Sequence, residues 1–202
     1  MTTKSRGRPK SSQSRLSSDE IIATALQIID EKGDSGLTMR ALARTLEINP
    51  MSIYHHIGTR DELLSAMVAK VYAGISDCPA QLTPGQTVQA LLSNYCQRSL
   101  SHAKLTLCLI STPGLDMPEL AQLGQTLQDI LTEQGLTPDK ALAYVDILID
   151  YSHGFILAAA QKQLSATPQT AQSRLSLDNY WHSIQLILAP ICPLLVNTQE
   201  QL

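Results

Sequence analysis

Apolar side chains recur at steps of three and four residues along most of the chain, the spacing that places them on one face of an α-helix. The first such stripe follows Ser17 and Glu20, which have the spacing of a capping box at a helix N-terminus. Gly33 and Gly36 end the pattern, as glycine often does just after a helix. The sequence therefore predicts a first amphipathic helix with this apolar face: Ile21, Ile22, Ala25, Leu26 and Ile29.

Two short helices are predicted next, separated by the turn at 46–49. Thr38 is a suitable N-cap for the second helix, and Asn49 for the third. Pro50 suits the first position of the third helix, because its missing N–H would have no partner there. Each of the two helices has a narrow apolar edge: Leu42 and Leu46 in the second, Ile53 and Ile57 in the third.

The rest of the chain continues the helical pattern. Thr59 and Glu62 form another capping-box spacing that opens a longer helix. Further helices are predicted over about 83–101, 118–134, 137–164 and 178–190. A polar loop is predicted at 165–175, between the last two of these helices. No window alternates like a strand between turn residues. We predict an all-α fold of eight or nine helices. The chain is divided into a flexible basic arm at 1–16, a three-helix head at 17–64 and a larger helical body at 65–202.

Charge is distributed unevenly, although the net charge is only −3. The residues before Leu16 carry no acid and five bases: Lys4, Arg6, Arg8, Lys10 and Arg15. The remainder of the chain is acidic, so a polyanionic partner is expected at one end only. A solvated, disordered tail is the alternative reading of such an arm.

Cysteine spacing and hydropathy restrict the class of protein further. The four cysteines, at 78, 96, 108 and 192, have neither CxxC nor zinc-finger spacing. We therefore expect reduced thiols in a cytoplasmic protein, with no metal and no cofactor. No apolar stretch follows the basic N-terminus as it would in a signal peptide. No apolar run approaches the ~18 residues of a membrane span, so no membrane partner is expected.

The third predicted helix carries the strongest functional signal. One edge is apolar, and the remaining positions hold short or planar side chains that can hydrogen-bond: Met51, Ser52, Tyr54, His55 and His56. Such a helix suits the major groove of DNA, with Arg40 and Arg60 flanking it. An ordinary helical hairpin with a polar outer face is the alternative.

The segment 37–64 resembles the DNA-binding domain of the tetracycline repressor (TetR) family. The likeness is most specific at Leu37–Arg40, Ala43, Ile53–Ile57, Arg60 and Leu63–Leu64. It implies phosphate contacts from Thr38, Tyr54 and Arg60, and places His56 near the DNA backbone. It implies base-reading positions at Arg40, Pro50, Met51, Ser52 and His55. Glu47 departs from the family's turn glycine and would cost about 1–2 kcal/mol if its φ is positive.

The resemblance also implies a dimer and a ligand site in the body. In the family the last two long helices pair between subunits, here about 138–164 and 178–196. The body resembles the family's tetracycline-binding member over about 103–158. Cys108 and Ala158 stand where that member holds a drug–metal chelate, so tetracycline with Mg²⁺ is not the expected effector. Candidate pocket residues are His102, Cys108, Tyr144, Asp150, Tyr151, His153 and Trp181. Asp146, Asp150 and His153 share roughly one helix face that could hold a cation.

These features favour a dimeric DNA-binding repressor that a small molecule releases from a palindromic operator. Arg6, Arg8 and Lys10 would add a minor-groove contact, because guanidinium groups on an extended backbone suit its narrow, negative floor. The alternatives are an architectural DNA-binding protein without an effector, or an activator of the same family. An enzyme is disfavoured, since the sequence has no glycine-rich phosphate loop, nucleophile elbow or HExxH motif.

Overall fold

The structure, a computed structural model, describes residues 16–164 and 177–190. Over these residues the chain forms nine α-helices, a single 3-10 turn at Asp34–Gly36 and no strand, which confirms the all-α prediction. The helices are α1 Ser18–Lys32, α2 Met39–Thr45, α3 Pro50–His56, α4 Arg60–Tyr72, α5 Pro84–Ser101, α6 Ala103–Ile110, α7 Pro118–Glu133, α8 Pro138–Leu164 and α9 Leu177–Leu188. The predicted basic arm up to Arg15, the whole predicted polar loop at 165–175 and Cys192 lie outside the described residues.

Side-chain caps set most of the early helix starts, as the sequence predicts. The Ser17, Thr38 and Asn49 side chains each accept a hydrogen bond from a backbone N–H in the first turn of α1, α2 and α3. Full capping boxes close at Thr59 for α4 and at Thr83 for α5. These bonds satisfy N–H groups that have no partner inside their helix, and so they fix where each helix begins.

Helix α6 is absent from the sequence-based prediction, which assigns no element between about 101 and 113. The chain breaks helical geometry at His102, with φ −125° and ψ 52°, and then turns into α6. Leu105 and Leu109 of α6 are buried, and the helix packs against α1, α5 and α8. A helix of two turns carries too little periodicity to be separated from its neighbour by sequence pattern alone.

The head and the body are joined by more than one helix. α1 packs against α2 and α4 within the head and against α6 of the body. α4 runs through the predicted boundary between residues 64 and 65. Its buried side chains lie on both sides of that boundary, with Leu64 before it and Met67 and Tyr72 after it. A change in the packing of α4 or α6 would therefore alter contacts in both the head and the body.

Helix α8 corrects one prediction from the sequence. By length and composition, Pro138–Gln161 is the one helical stretch among the described residues that could cross a membrane. The expectation that no apolar run is long enough is therefore wrong. The stretch is apolar enough because Asp146 and Asp150 are the only Asp, Glu, Lys or Arg residues between 141 and 160. α8 packs against α5, α6, α7 and α9, so it is the central helix of the body.

The turn between α2 and α3 contains the only non-glycine residue with positive φ in the described part of the chain, Glu47 at 56°. The N–H of Ile48 bonds to the carbonyl of Ala43 at 3.0 Å, and that of Glu47 to Arg44 at 3.3 Å. This is the Schellman arrangement, in which glycine normally occupies the left-handed position. The sequence-based concern about Glu47 is thus confirmed, and the turn itself is intact.

Glu47→Gly is expected to raise the free energy of unfolding by about 1 kcal/mol, because it removes the left-handed penalty at some entropic cost. Urea denaturation followed by circular dichroism would measure the change. Glu47→Ala is the matched control, since alanine keeps the Cβ atom that causes the penalty. Equal stabilisation by both substitutions would contradict the backbone explanation.

Candidate DNA-binding and effector sites

Helix α3 turns one edge inward and its other side chains outward. Ile53 is fully buried in the head, whereas Met51 is 68% and Tyr54 47% exposed. His55 and His56 are exposed as well, while Pro50 and Ser52 are half-buried. A short helix that exposes methionine, tyrosine and histidine beside one another has side chains available for base edges and phosphates.

The flanking residues of the predicted interface differ in how far they are engaged within the protein. Thr38 and Arg40 are both exposed at the start of α2, where the Thr38 hydroxyl accepts a hydrogen bond from the Ala41 N–H at 3.0 Å. Arg60 is half-buried, forms an ion pair with Asp34 and donates from Nε to the Leu37 carbonyl at 3.5 Å. Arg60 therefore holds the start of α4 against the 3-10 turn.

Asp34 links the head to α6 of the body. Besides Arg60, its carboxylate accepts a hydrogen bond from the Cys108 thiol at 2.9 Å. That bond, with the nearby Arg60 charge, lowers the pKa of Asp34 against a smaller opposing effect of burial. Burial and the adjacent Asp34 carboxylate raise the pKa of the Cys108 thiol, so it stays protonated and keeps its donor.

Two further contacts fasten α6 to the C-terminal end of α1. His102 Nδ1 lies 2.8 Å from the Asp30 carboxylate, and Lys104 Nζ donates to the Glu31 carbonyl at 2.7 Å. We refer to these contacts, together with the Asp34–Cys108 bond, as the head–body seam. His102 and Cys108, predicted as pocket residues, both lie in this seam.

Asp34→Asn is expected to lower the free energy of unfolding by about 1 kcal/mol near neutral pH, because it weakens both an ion pair and a charge-assisted bond. The pKa of Asp34 is lowered by folding, so its contribution is present above the unfolded value of 3.8 and is lost as the pH falls through the folded value. Urea denaturation of both proteins at several pH values would show the difference shrinking at low pH.

Asp19→Asn is the control for that substitution, since Asp19 forms only an exposed ion pair with Lys70 at 3.2 Å. It is expected to change stability by less than about 0.5 kcal/mol. A loss for Asp34→Asn that does not depend on pH would contradict the electrostatic explanation.

The body holds a cavity of about 240 Å³, partly open to solvent, between α4, α5, α6, α7 and α8. Most of its wall is apolar, with contributions from Leu109, Ile110, Met117, Leu120, Leu123 and Ile149. The polar residues of the wall are Tyr72, Tyr95, Thr106 and His153. An apolar wall with a few polar groups is the usual character of a small-molecule site.

The polar groups of the cavity are hydrogen-bonded and uncharged. His153 Nε2 lies 2.6 Å from the Tyr95 hydroxyl, and the Tyr72 hydroxyl lies 2.9 Å from the buried Ser99 hydroxyl. Burial raises the pKa of Tyr95 and lowers that of His153, the latter against an opposing effect of Asp150. At neutral pH the cavity therefore presents a phenol and a neutral imidazole.

Comparison with known proteins agrees with this architecture. The family model described as "Bacterial regulatory proteins, tetR family" matches residues 21–67, which include α2, α3 and the turn between them. The HTH-type transcriptional repressor DrrR1 of Streptomyces coeruleorubidus is 30% identical over 172 residues, or 83% of this chain and 61% of DrrR1. Residues 21–67 therefore match the model of this family, and the chain spans about three fifths of the length of DrrR1.

Solved structures extend the likeness to the body. BioQ of Mycobacterium smegmatis superposes with a TM-score of 0.74 at 20% identity, covering 89% of this chain and 99% of BioQ. BioQ with its natural double-stranded DNA operator gives 0.68 at 22%, covering 91% and 99%. ActR of Streptomyces coelicolor in complex with (S)-DNPA gives 0.66 at 23%, covering 87% and 96%. At these identities the likeness shows the fold.

One of the predicted pocket residues, His153, lines the cavity. Tyr151 and Trp181 instead pack against the Tyr180 ring, with centroids 5.7 and 5.1 Å away. Tyr144 is half-buried against the core. Most of the cavity wall was missed because its residues are apolar and come from five helices, and neither property distinguishes them from ordinary core residues.

Asp146 and Asp150, predicted as a cation-binding face with His153, lie on the outer groove between α7 and α8. In the part of the chain that the structure describes, no three His, Cys, Asp or Glu side chains are grouped so as to hold a metal ion. The three residues are therefore not brought together as a chelate.

The outward faces of α8 and α9 expose large apolar side chains. Ile147 of α8 is 48% and Leu186 of α9 61% exposed. Gly154 and Ala158 continue the exposed face of α8 at helical spacing from Ile147. Each of the two helices thus has one side in the core and exposes apolar side chains away from it.

Proposed function

We propose that this protein is a sequence-specific DNA-binding regulator of the tetR family, a repressor that is released from a palindromic operator by a small molecule. The observation that carries the proposal is α3, which buries Ile53 and leaves Met51, Tyr54 and His55 free to enter a major groove. It would act in the cytoplasm, where the DNA is. DrrR1 is named a transcriptional repressor, and BioQ has been crystallised with its operator.

The proposal includes a homodimer that pairs α8 and α9 with their counterparts in a second copy. The apolar faces around Ile147 and Leu186 supply the surface, and Gly154 with Ala158 would allow the helices to approach closely. Two linked heads bind successive half-sites far more tightly than one head, because the second contact is intramolecular.

Release of DNA would depend on α6, which belongs both to the cavity and to the head–body seam. Thr106 and Leu109 line the cavity, whereas Cys108 bonds to Asp34 of the head. A molecule that favours a different position of α6 would shift α1 and α4 and hence the spacing of the two heads. By linkage, DNA would weaken binding of that molecule by the same factor. ActR, which shares this fold, has been crystallised in complex with (S)-DNPA.

The decisive experiment is a footprint of the purified protein on the DNA upstream of its own gene and its neighbours. The proposal predicts a protected palindrome with half-sites about one helical turn apart. Coverage without sequence preference would instead indicate an architectural DNA-binding protein. A promoter fusion carrying the protected site, assayed with and without the protein, then distinguishes repression from activation.

A further inference from the structure

The cavity wall holds no charged side chain. Its lining residues are all apolar or neutral polar, with Leu109, Leu123 and Ile149 typical of the surface. A charged ligand entering such a site would lose its hydration and find no counter-ion in the wall. The wall therefore selects against anions and cations alike.

Polar recognition in the cavity depends on the Tyr95–His153 pair. A phenol and a neutral imidazole each carry one donor and at least one acceptor, and the bond between them uses one of each. One donor therefore remains on the pair, either the Tyr95 O–H or the His153 Nδ1–H, according to which residue donates in that bond. The other phenol of the wall, Tyr72, is bonded to Ser99. A ligand with a hydroxyl or carbonyl oxygen matches the remaining donor.

The size of the cavity limits the ligand as well. Its volume of about 240 Å³ is below the ~300–1,000 Å³ that is usual for drug-sized ligands. Gly124 of α7 lies in the wall of both this cavity and the outer groove. A Cβ atom built at Gly124 meets nothing within 4 Å. A larger side chain at this position would therefore occupy the ligand's space without a clash.

We propose that the effector of this protein is an uncharged, mainly apolar molecule of about the size of a two-ring aromatic, which places one oxygen acceptor against Tyr95 and His153. This inference rests on the proposed function only in calling the ligand an effector. The cavity and its selectivity can be measured without DNA.

Isothermal titration of the full chain with matched probes tests the ligand class. The aromatic set is 2-naphthol, 2-methylnaphthalene, naphthalene-2-carboxylate and 2-naphthylmethylammonium, and a flexible set is 1-octanol, octanoate and octylammonium. We expect a neutral alcohol to bind best and 2-methylnaphthalene to bind about fivefold more weakly than 2-naphthol, the equivalent of one hydrogen bond. The charged probes should bind at least about 100-fold more weakly. Binding of a charged probe as tight as that of its alcohol, or no binding in either set, overturns the proposal.

Three variants locate the binding. Gly124→Leu should abolish binding of the alcohol, whereas Gly124→Ala, which adds only a methyl group, should change it by less than about threefold. The double variant Tyr95→Phe/His153→Leu, which removes both polar partners, should remove the preference for 2-naphthol over 2-methylnaphthalene. Thermal unfolding of each variant checks that it is folded. Full binding by a folded Gly124→Leu protein would place the ligand elsewhere and overturn the proposal.

A footprint repeated with the alcohol present separates this inference from the proposed function. If the alcohol binds in the cavity but the operator stays protected, the ligand class stands and ligand-controlled release fails. If the operator is bound but only charged probes bind the protein, DNA recognition stands and the ligand class fails.

Discussion

Substitution of Leu186 by glutamate is expected to convert the dimer into monomers and to weaken binding to a two-half-site operator by at least about 100-fold. Leu186 is 61% exposed and lies near the C-terminal end of α9. In the proposed dimer this side chain is buried, so a carboxylate there would lose its hydration without gaining a partner. Monomers would bind each half-site separately and lose the gain from linkage.

Two substitutions on α8, one in the proposed interface and one outside it, test the same dimer. Ile147→Glu should act like Leu186→Glu, because Ile147 lies on the exposed face shared with Gly154 and Ala158. Leu142→Glu is the control, since Leu142 is on the same helix and is 49% exposed but faces the groove beside α7. Sedimentation equilibrium and operator titration would measure the two effects. A dimer that survives both Ile147→Glu and Leu186→Glu would contradict the proposed interface.

The parts of the fold that follow from local chemistry were predictable from the sequence. Thr59 and Glu62 form the expected capping box, and Asn49 and Pro50 open α3 as their side chains require. The exposed face of α3 follows from the same local pattern, because a seven-residue helix with one buried edge at Ile53 leaves most of its other side chains exposed. The assignment of individual phosphate and base contacts stays a prediction.

The parts that depend on tertiary packing were not predictable from periodicity. Tyr72 and Tyr95 come from α4 and α5, and only the packing of those helices around α6 brings them to one cavity. His102 and Cys108 have the chemistry of pocket residues, yet the turn into α6 directs them to Asp30 and Asp34. Sequence spacing identifies the apolar face of one helix. The packing of the whole core decides which other helix covers that face.

Replacement of Arg40 by alanine is expected to lower operator affinity by about 5- to 150-fold and to relax the base preference at one position of each half-site. Arg40 is exposed at the start of α2, next to the capping hydroxyl of Thr38. An exposed guanidinium at this edge of the helix pair has the reach and the two parallel donors that a guanine edge accepts. Fluorescence anisotropy with the footprinted operator and with single-base variants of it would measure both changes.

The salt dependence of binding then decides what Arg40 contacts. Lys70→Ala is the control for loss of one positive charge elsewhere on α4, since Lys70 is already paired with Asp19. It should change affinity by less than about twofold. If Arg40 reads a base, Arg40→Ala weakens the natural operator more than a variant operator at that position. If Arg40 contacts only a phosphate, affinity falls equally for all operators and the slope against salt decreases by about one. Equal loss across operators would therefore contradict base reading while leaving α3 as the recognition helix.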